Sequence, residues 1–210
     1  KGGKSAFSLY LAACAAKNIW PNPEYISGAR ALNVLYISWE DPDLMMAKRL
    51  SLYQLGMGKD RLDMPENLTF LFAPTLFLDR DDHAEALKEA ISEYKSDIVI
   101  FDTLSHAHQA DNENDATQLR IPMAKMYQVA QATKAGIIYI HHTAKGSGDR
   151  AMQEKARGST AIAAAWHICL DWGVREKGSD VNPIQIQSKY EHETLEWAIS
   201  YLKERDDNGH

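Results

Sequence analysis

Hydrophobic and polar residues fall into blocks along this chain, and the blocks predict strands and helices by turns. Short apolar runs rich in β-branched and aromatic residues are typical of buried strands. Ala- and Leu-rich segments with apolar residues at helical spacing are typical of helices. The predicted strands are 33–40, 68–74, 97–105, 136–143, 166–172, 183–189 and 194–201. The predicted helices are 5–17, 43–55, 81–95, 119–134 and 160–165.

The order of these elements predicts the fold class. Strands and helices alternate as far as residue 165, as in an α/β domain with a mostly parallel sheet flanked by helices. The last three strands follow each other without helices, which favours antiparallel strands at the C-terminal edge of the sheet. Polar residues dominate 106–118 and 144–159, which are predicted to be loops. A length of 210 residues fits one domain over residues 1–210.

Composition and charge narrow the location and the partners. The chain has 45% hydrophobic and 25% charged residues, which is ordinary for a globular protein, and no apolar run of about 20 residues that could span a membrane. Cys14 and Cys169 lack metal-ligand spacing, which favours buried thiols in a reducing cytoplasm. The net charge of -6 argues against a protein that coats duplex DNA. It leaves open nucleic acid bound in the channel of a ring.

The residues before the first helix read KGGKS, and they resemble the second half of a phosphate-binding loop. In the pattern G-x-x-x-x-G-K-S, backbone N–H groups surround the phosphates, the Lys reaches the β- and γ-oxygens and the Ser hydroxyl binds magnesium. Gly2, Gly3, Lys4 and Ser5 are the candidates, and the first glycine of the pattern would lie before Lys1. The alternative is a Gly- and Lys-rich end without function. The helix directly behind Ser5 favours the loop.

Two carboxylates end predicted strands. Asp102 ends the apolar run DIVIFD, where a Walker-B carboxylate would hold magnesium, although a strand-end Asp can also merely cap a turn. Glu40 ends the run LYISWE, where it could polarise the water that attacks a γ-phosphate. The alternative for Glu40 is an acid favoured at a helix start, a role that Asp41 fits better because it directly precedes Pro42.

Two histidines end a third predicted strand in the stretch IIYIHHTAK. His141 and His142 are adjacent, so on a strand they would point to opposite faces. A neutral imidazole there could hydrogen-bond a γ-phosphate or a neighbouring carboxylate and report which nucleotide is bound. The alternative is a buried structural histidine. Their place at the same sheet edge favours function.

Basic residues gather in the second polar loop and in one late strand. Arg157 lies just before a helix of small residues, where its guanidinium could stabilise transferred phosphate charge on a neighbouring subunit. Lys189, in one of the late predicted strands, could stabilise phosphate charge in a related way. The same loop carries Lys145, Arg150 and Lys155. For Arg150 and Lys155 a solvated charged loop is a strong alternative.

Taken in order, five stretches of this sequence resemble one family. They are KGGKS, YISWEDPD, VIFDTLSHAHQADNENDA, IYIHHTAK and ARGSTAI. They are similar to the RecA-like P-loop ATPases of the AAA_25 type, and among these to the hexameric replicative helicases of the plasmid RepA kind. The resemblance implies a RecA-like core and a ring-forming motor that uses ATP and Mg²⁺ on single-stranded DNA in the cytoplasm. It also implies that the first strand of the core lies outside this sequence, so we expect an N-terminally incomplete domain.

The resemblance also implies roles for the matching positions. Lys4, Ser5 and Asp102 would hold phosphate and magnesium, and Glu40 would activate water. His142 would be the γ-phosphate sensor, with His141 beside it. Arg157 would be the arginine finger offered to the adjacent subunit. DNA contacts would come from Lys145, Arg150 and Lys155. The family's late Lys-x-Arg is here Lys-Tyr-Glu, which makes Arg157 the first choice for the finger and Lys189 the second.

Two other functions stay open on the sequence alone. One is a recombinase-like or clock-like ATPase that assembles without unwinding DNA. The other is a non-catalytic regulator whose assembly with a partner is controlled by ATP. Glu40 argues against the regulator, because a switch that only binds nucleotide has no need of a water-polarising acid.

Overall fold

The computed structural model describes residues 3–19, 30–56, 65–72, 75–109, 115–142, 160–173, 179, 181–190 and 195–200. Its helices are α1 (Lys4–Lys17), α2 (Asp43–Gly56), α3 (Asp81–Glu93), α4 (Ala116–Thr133) and α5 (Thr160–Ala165). Its strands are β1 (Val34–Ser38), β2 (Leu68–Phe72), β3 (Ile98–Asp102), β4 (Gly136–Tyr139), β5 (Ile168–Trp172), β6 (Val181–Ser188) and β7 (Leu195–Ser200). A short 3-10 helix follows β3 at Leu104–His106.

The first four strands form one parallel sheet in the order β2-β1-β3-β4. The register sets Ser38 opposite Asp102, so β1 and β3 end at the same level of the sheet. The three late strands form an antiparallel sheet in the order β5-β6-β7. The predicted fold class is confirmed. The antiparallel strands make a sheet of their own, and in the described residues no strand pairing joins it to the parallel sheet.

Two apolar clusters cover the two faces of the parallel sheet, because successive strand residues point to opposite sides. On one face Leu35, Ile37 and Phe101 pack against residues of α3 and α4 such as Leu87 and Met126. On the other face Tyr36 and Ile100 pack against a second set that comes from α1 and α2. This set includes Leu9, Ala12, Met46 and Leu50. Burial on both faces explains why the strands read as continuous apolar runs.

Several boundaries differ from the sequence predictions, and three of them are of structural interest. The predicted strand 97–105 ends at Asp102, because the chain turns into the 3-10 helix instead of pairing further. The predicted strand 136–143 ends at Tyr139, so His141 and His142 lie beyond the strand. The expectation that the two histidines point to opposite faces of a strand is therefore wrong.

The third boundary is the start of α4, which lies at Ala116 and not at residue 119. Asp115 caps this start, since its side chain accepts a hydrogen bond from the backbone N–H of Thr117 at 2.8 Å. Part of the predicted polar loop is thus helical.

The remaining expectations concern cysteines and membranes. Cys14 is buried and Cys169 partly buried, and both are free thiols. Burial raises the pKa of both thiols, that of Cys169 to about 11. Within the part of the chain that the structure describes, no helix is long and apolar enough to cross a membrane.

Candidate functional site

The candidate site lies where β1 and β3 end beside the start of α1. The Asp102 carboxylate is its centre. Ser5 Oγ donates to Asp102 Oδ1 at 3.0 Å, and the Tyr36 hydroxyl donates to Oδ2 at 2.7 Å. Ser8 Oγ lies 2.9 Å from the Tyr36 hydroxyl. Both carboxylate oxygens are therefore held by side chains of other elements.

Asp102 is only 1% exposed, and this burial governs its electrostatics. Loss of water raises the pKa of the Asp102 carboxyl. The hydrogen bonds from Tyr36 and Ser5 act in the opposite direction, while the nearby carboxylates of Glu40 and Asp41 raise the pKa further. A buried carboxylate with acidic neighbours is stabilised by a cation, so the site favours metal binding.

The start of α1 has the features of an anion site. Gly3 precedes the helix with φ 80°, a left-handed conformation that glycine adopts without a steric penalty. The backbone N–H groups of a first helical turn lack partners within the helix, and the helix dipole favours negative charge there. Lys4 is the first helical residue, and partial burial lowers the pKa of its ammonium while Asp171 opposes that shift. Gly2 lies outside the described residues.

Glu40 lies just beyond the end of β1, with its side chain 36% exposed. The Thr103 hydroxyl donates to Glu40 Oε1 at 3.3 Å. His106 Nδ1 lies 3.7 Å from the same oxygen. The adjacent Asp41 instead pairs with Arg49 of α2. Asp41 is therefore engaged in an ion pair, whereas the Glu40 carboxylate has lone pairs that are accessible to solvent.

The two histidines follow β4 at the same edge. Two backbone bonds hold this segment beside the end of β3: Ile140 N–H donates to the Phe101 carbonyl at 3.0 Å, and Leu104 N–H to the Ile140 carbonyl at 2.9 Å. His141 is partly buried and His142 is exposed. The fold therefore brings the predicted sensor pair to the edge that carries Asp102.

Lys189 lies elsewhere, directly after β6. Its ammonium donates to the Ala164 carbonyl at 2.5 Å and sits 5.4 Å from the centre of the Trp166 ring. The structure thus places Lys189 against α5 and leaves its phosphate-binding role a prediction. The other basic candidates, Lys145, Arg150, Lys155 and Arg157, lie outside the described residues.

The sequence reasoning missed four polar residues of this site. Tyr36 donates a hydrogen bond to Asp102, and Ser8 is hydrogen-bonded to Tyr36. Thr103 donates to Glu40, and His106 lies near the same carboxylate. A signal for Ser8 exists, because it follows Ser5 by one helical turn on the same face. Tyr36 gave none, since a tyrosine in an apolar strand is indistinguishable from a packed aromatic residue.

The side chains at the centre fit a magnesium ion. Ser5 and Asp102 supply a hydroxyl and a carboxylate oxygen, the hard ligands that Mg²⁺ prefers. Among the described residues no group of three His, Cys, Asp or Glu side chains could enclose a metal. Mg²⁺ commonly takes one or two protein oxygens and completes its shell with water and phosphate.

The parallel sheet, the glycine-led helix and the Ser5–Asp102 contact together define a nucleotide-binding α/β protein of the P-loop type. The AAA_25 family, described as an AAA domain, matches residues 1–148. The chain belongs to this family of RecA-like ATPases.

The structure of the RadB recombinase is among the solved structures that share this fold. It has a TM-score of 0.64 and 14% sequence identity, and the match covers 99% of this chain and 84% of that chain. A search of curated proteins finds no match.

Proposed function

We propose that this protein is a Mg²⁺-dependent ATPase that acts as a motor on single-stranded DNA and assembles as a hexameric ring. One observation carries the ATPase part: the 3.0 Å hydrogen bond from Ser5 to Asp102. It joins the predicted phosphate-binding residues to the predicted magnesium carboxylate, 97 positions apart in the chain. Family membership supports the same assignment. The DNA motor and the ring rest on the resemblance and on the basic loop residues.

The residues divide the chemistry among them. Lys4 and the backbone N–H groups at the start of α1 bind the phosphates and counter their charge. Ser5 and Asp102 would hold Mg²⁺, which would neutralise the negative charge that develops on the phosphates. Glu40 orients the attacking water and takes its proton. His142 and His141 read the γ-phosphate.

Contacts beyond one subunit complete the proposal. Arg157, with Lys189 as the second choice, stabilises the transferred phosphate on a neighbouring subunit. Lys145, Arg150 and Lys155 contact the DNA backbone in the channel of the ring and form a local basic surface on a chain whose net charge is -6. We propose a cytoplasmic location, as the cysteine usage suggests.

The test is ATP hydrolysis by the purified full-length protein, measured with and without single-stranded DNA. We expect Mg²⁺-dependent turnover that DNA accelerates. Lys4→Ala should lower turnover by about 10²-fold or more, because it removes a cation aimed at transition-state charge. Lys17→Ala, at the other end of the same helix, is the control and should keep normal turnover.

Each negative outcome has its own meaning. Unchanged turnover in Lys4→Ala would refute the site. Hydrolysis without any DNA stimulation or strand displacement on a forked substrate would favour the ATPase that assembles without unwinding. Tight ATP binding with no turnover in the protein with Glu40 intact would favour the regulator.

A further inference from the structure

The Thr103 hydroxyl has three polar neighbours beside the candidate site. Its oxygen lies 3.3 Å from Glu40 Oε1, 2.7 Å from Ser105 Oγ and 3.1 Å from His106 Nδ1. Thr103 itself is fully buried. These contacts make a small network whose outer member is the half-exposed His106.

The hydrogen count fixes the direction of these bonds. A threonine hydroxyl has one hydrogen and two lone pairs, and an ionised carboxylate only accepts. The hydrogen of Thr103 therefore goes to Glu40, and Ser105 and His106 must donate to Thr103. His106 then carries its hydrogen on Nδ1. If Nδ1 were bare, it would compete for the Thr103 hydrogen and Glu40 would lose its donor.

We propose that His106 is a positioning residue that acts through Thr103 to hold the Glu40 carboxylate for hydrolysis. This inference rests on the proposed ATPase function. His106 Nδ1 is 3.7 Å from Glu40 Oε1, too far for a hydrogen bond of its own. Its effect on Glu40 is therefore carried by the Thr103 hydroxyl. A base held in one orientation reaches the reacting water more often than one that rotates freely.

The backbone gives this network a firm support. The 3-10 helix that carries His106 is tied to the end of β4, since Leu104 N–H donates to the Ile140 carbonyl at 2.9 Å. It is also tied to the segment before α3, since Leu78 N–H donates to the Ala107 carbonyl at 2.7 Å. The imidazole is thus presented from a turn anchored on both sides.

The test compares three variants of the full-length protein in steady-state ATP hydrolysis. His106→Ala should lower kcat about tenfold and leave the KM for ATP unchanged, the effect of losing one neutral hydrogen bond. His106→Asn should restore kcat to within about threefold of the wild type, because its amide N–H can donate from near the Nδ1 position. His83→Ala is the matched control. Its Nδ1 also makes one local hydrogen bond, to Phe77 N–H at 3.0 Å, and it should keep normal kcat.

A double variant separates positioning from a general structural effect. In a Thr103→Val background, His106→Ala should change kcat less than twofold, because the Thr103 hydroxyl through which His106 acts is already absent. Normal kcat in His106→Ala, or an equal loss in the Asn variant, would overturn the inference. Failure of the proposed function looks different, because then the wild type itself would show no hydrolysis or Lys4→Ala would have no effect.

Discussion

At the scale of single residues, burial of the Asp102 carboxylate destabilises its charged form. Its desolvation is only partly offset by the hydroxyls of Tyr36 and Ser5, and Glu40 stands nearby with the same charge. A carboxylate kept in such surroundings is typical of a site that binds a cation, where the ion supplies the missing charge. The residues around it are accordingly those most worth changing.

The first prediction concerns Glu40. Glu40→Gln keeps the size and the Thr103 contact of the side chain and removes its basicity. We expect kcat for ATP to fall by about 10²- to 10³-fold, the usual loss on removing a general base. Binding of a fluorescent ATP analogue should persist. The control is Asp41→Asn, whose carboxylate is engaged by Arg49, and equal losses in both variants would contradict the assignment.

The second prediction concerns Tyr36. Tyr36→Phe removes the donor to Asp102 Oδ2 and keeps the packing against Phe70, whose ring centre lies 5.6 Å away. We expect the free energy of unfolding to fall by about 1–3 kcal/mol, because a buried charged acceptor loses a bond. Urea denaturation measures it. Burial raises the pKa of the Tyr36 phenol, so it stays a donor across the working pH range. A stability equal to wild type would show that the ring alone matters.

At the scale of elements, the strands and helices were predictable where a single pattern of hydrophobic residues extends over the whole segment. The runs around Val34–Ser38 and Ile98–Asp102 are buried on both faces, so their apolar character was continuous. Their ends were not predictable to the residue. Leu104, for example, is apolar but belongs to a 3-10 turn fixed by the Ile140 carbonyl, a contact that no local pattern reveals.

The third prediction belongs to the N-terminal ends of β1 and β3, which Asp97 ties together. Its carboxylate accepts from Asn33 N–H at 2.9 Å and pairs with Arg30. The hydrogen bond from Arg30 is the main cause that holds the pKa of Asp97 below 3.8, helped by Asn33 and opposed by burial. Because the folded pKa is lowered, this stabilisation is complete above the ordinary pKa and is lost as the pH falls through the folded value.

Asp97→Asn tests this linkage by urea denaturation at several pH values. We expect it to lower the free energy of unfolding on the order of 1 kcal/mol at pH 7. The difference from wild type should begin to shrink below about pH 4, the ordinary carboxyl pKa, and should vanish once the pH falls below the lower folded pKa of Asp97. Asp82→Asn, which removes an exposed pair with Arg80, is the control and should have a smaller effect. A difference that does not vary with pH would contradict the electrostatic account.

At the scale of the whole molecule, the parallel sheet brings distant stretches to one edge. Ser38 and Asp102 are opposite each other in the register, and α1 returns Ser5 to the same place. The second sheet meets this region through α1, where the rings of Phe7 and Trp172 are 5.2 Å apart. If a neighbouring subunit completes the site, its residues must approach this edge of the parallel sheet.

The fourth prediction tests a shared site. If Arg157 acts on the neighbouring subunit of a ring, Lys4→Ala and Arg157→Ala subunits should each be inactive alone. Mixed rings should recover roughly a quarter of wild-type ATP turnover, because random mixing joins an intact Lys4 to an intact Arg157 at about one interface in four. No recovery on mixing, with rings confirmed by sedimentation, would place Arg157 in its own subunit's site or outside any site.

The sequence by itself determined the class of fold and the main candidates. Periodicity is a local property, so alternating strands and helices were visible without coordinates, and the strand-end acids Glu40 and Asp102 stood out against apolar runs. The tertiary structure alone decided which polar groups meet. Tyr36 became a donor to Asp102, and Thr103 with His106 became the surroundings of Glu40. Register and turn geometry bring these side chains together, and those depend on contacts between residues far apart in the chain.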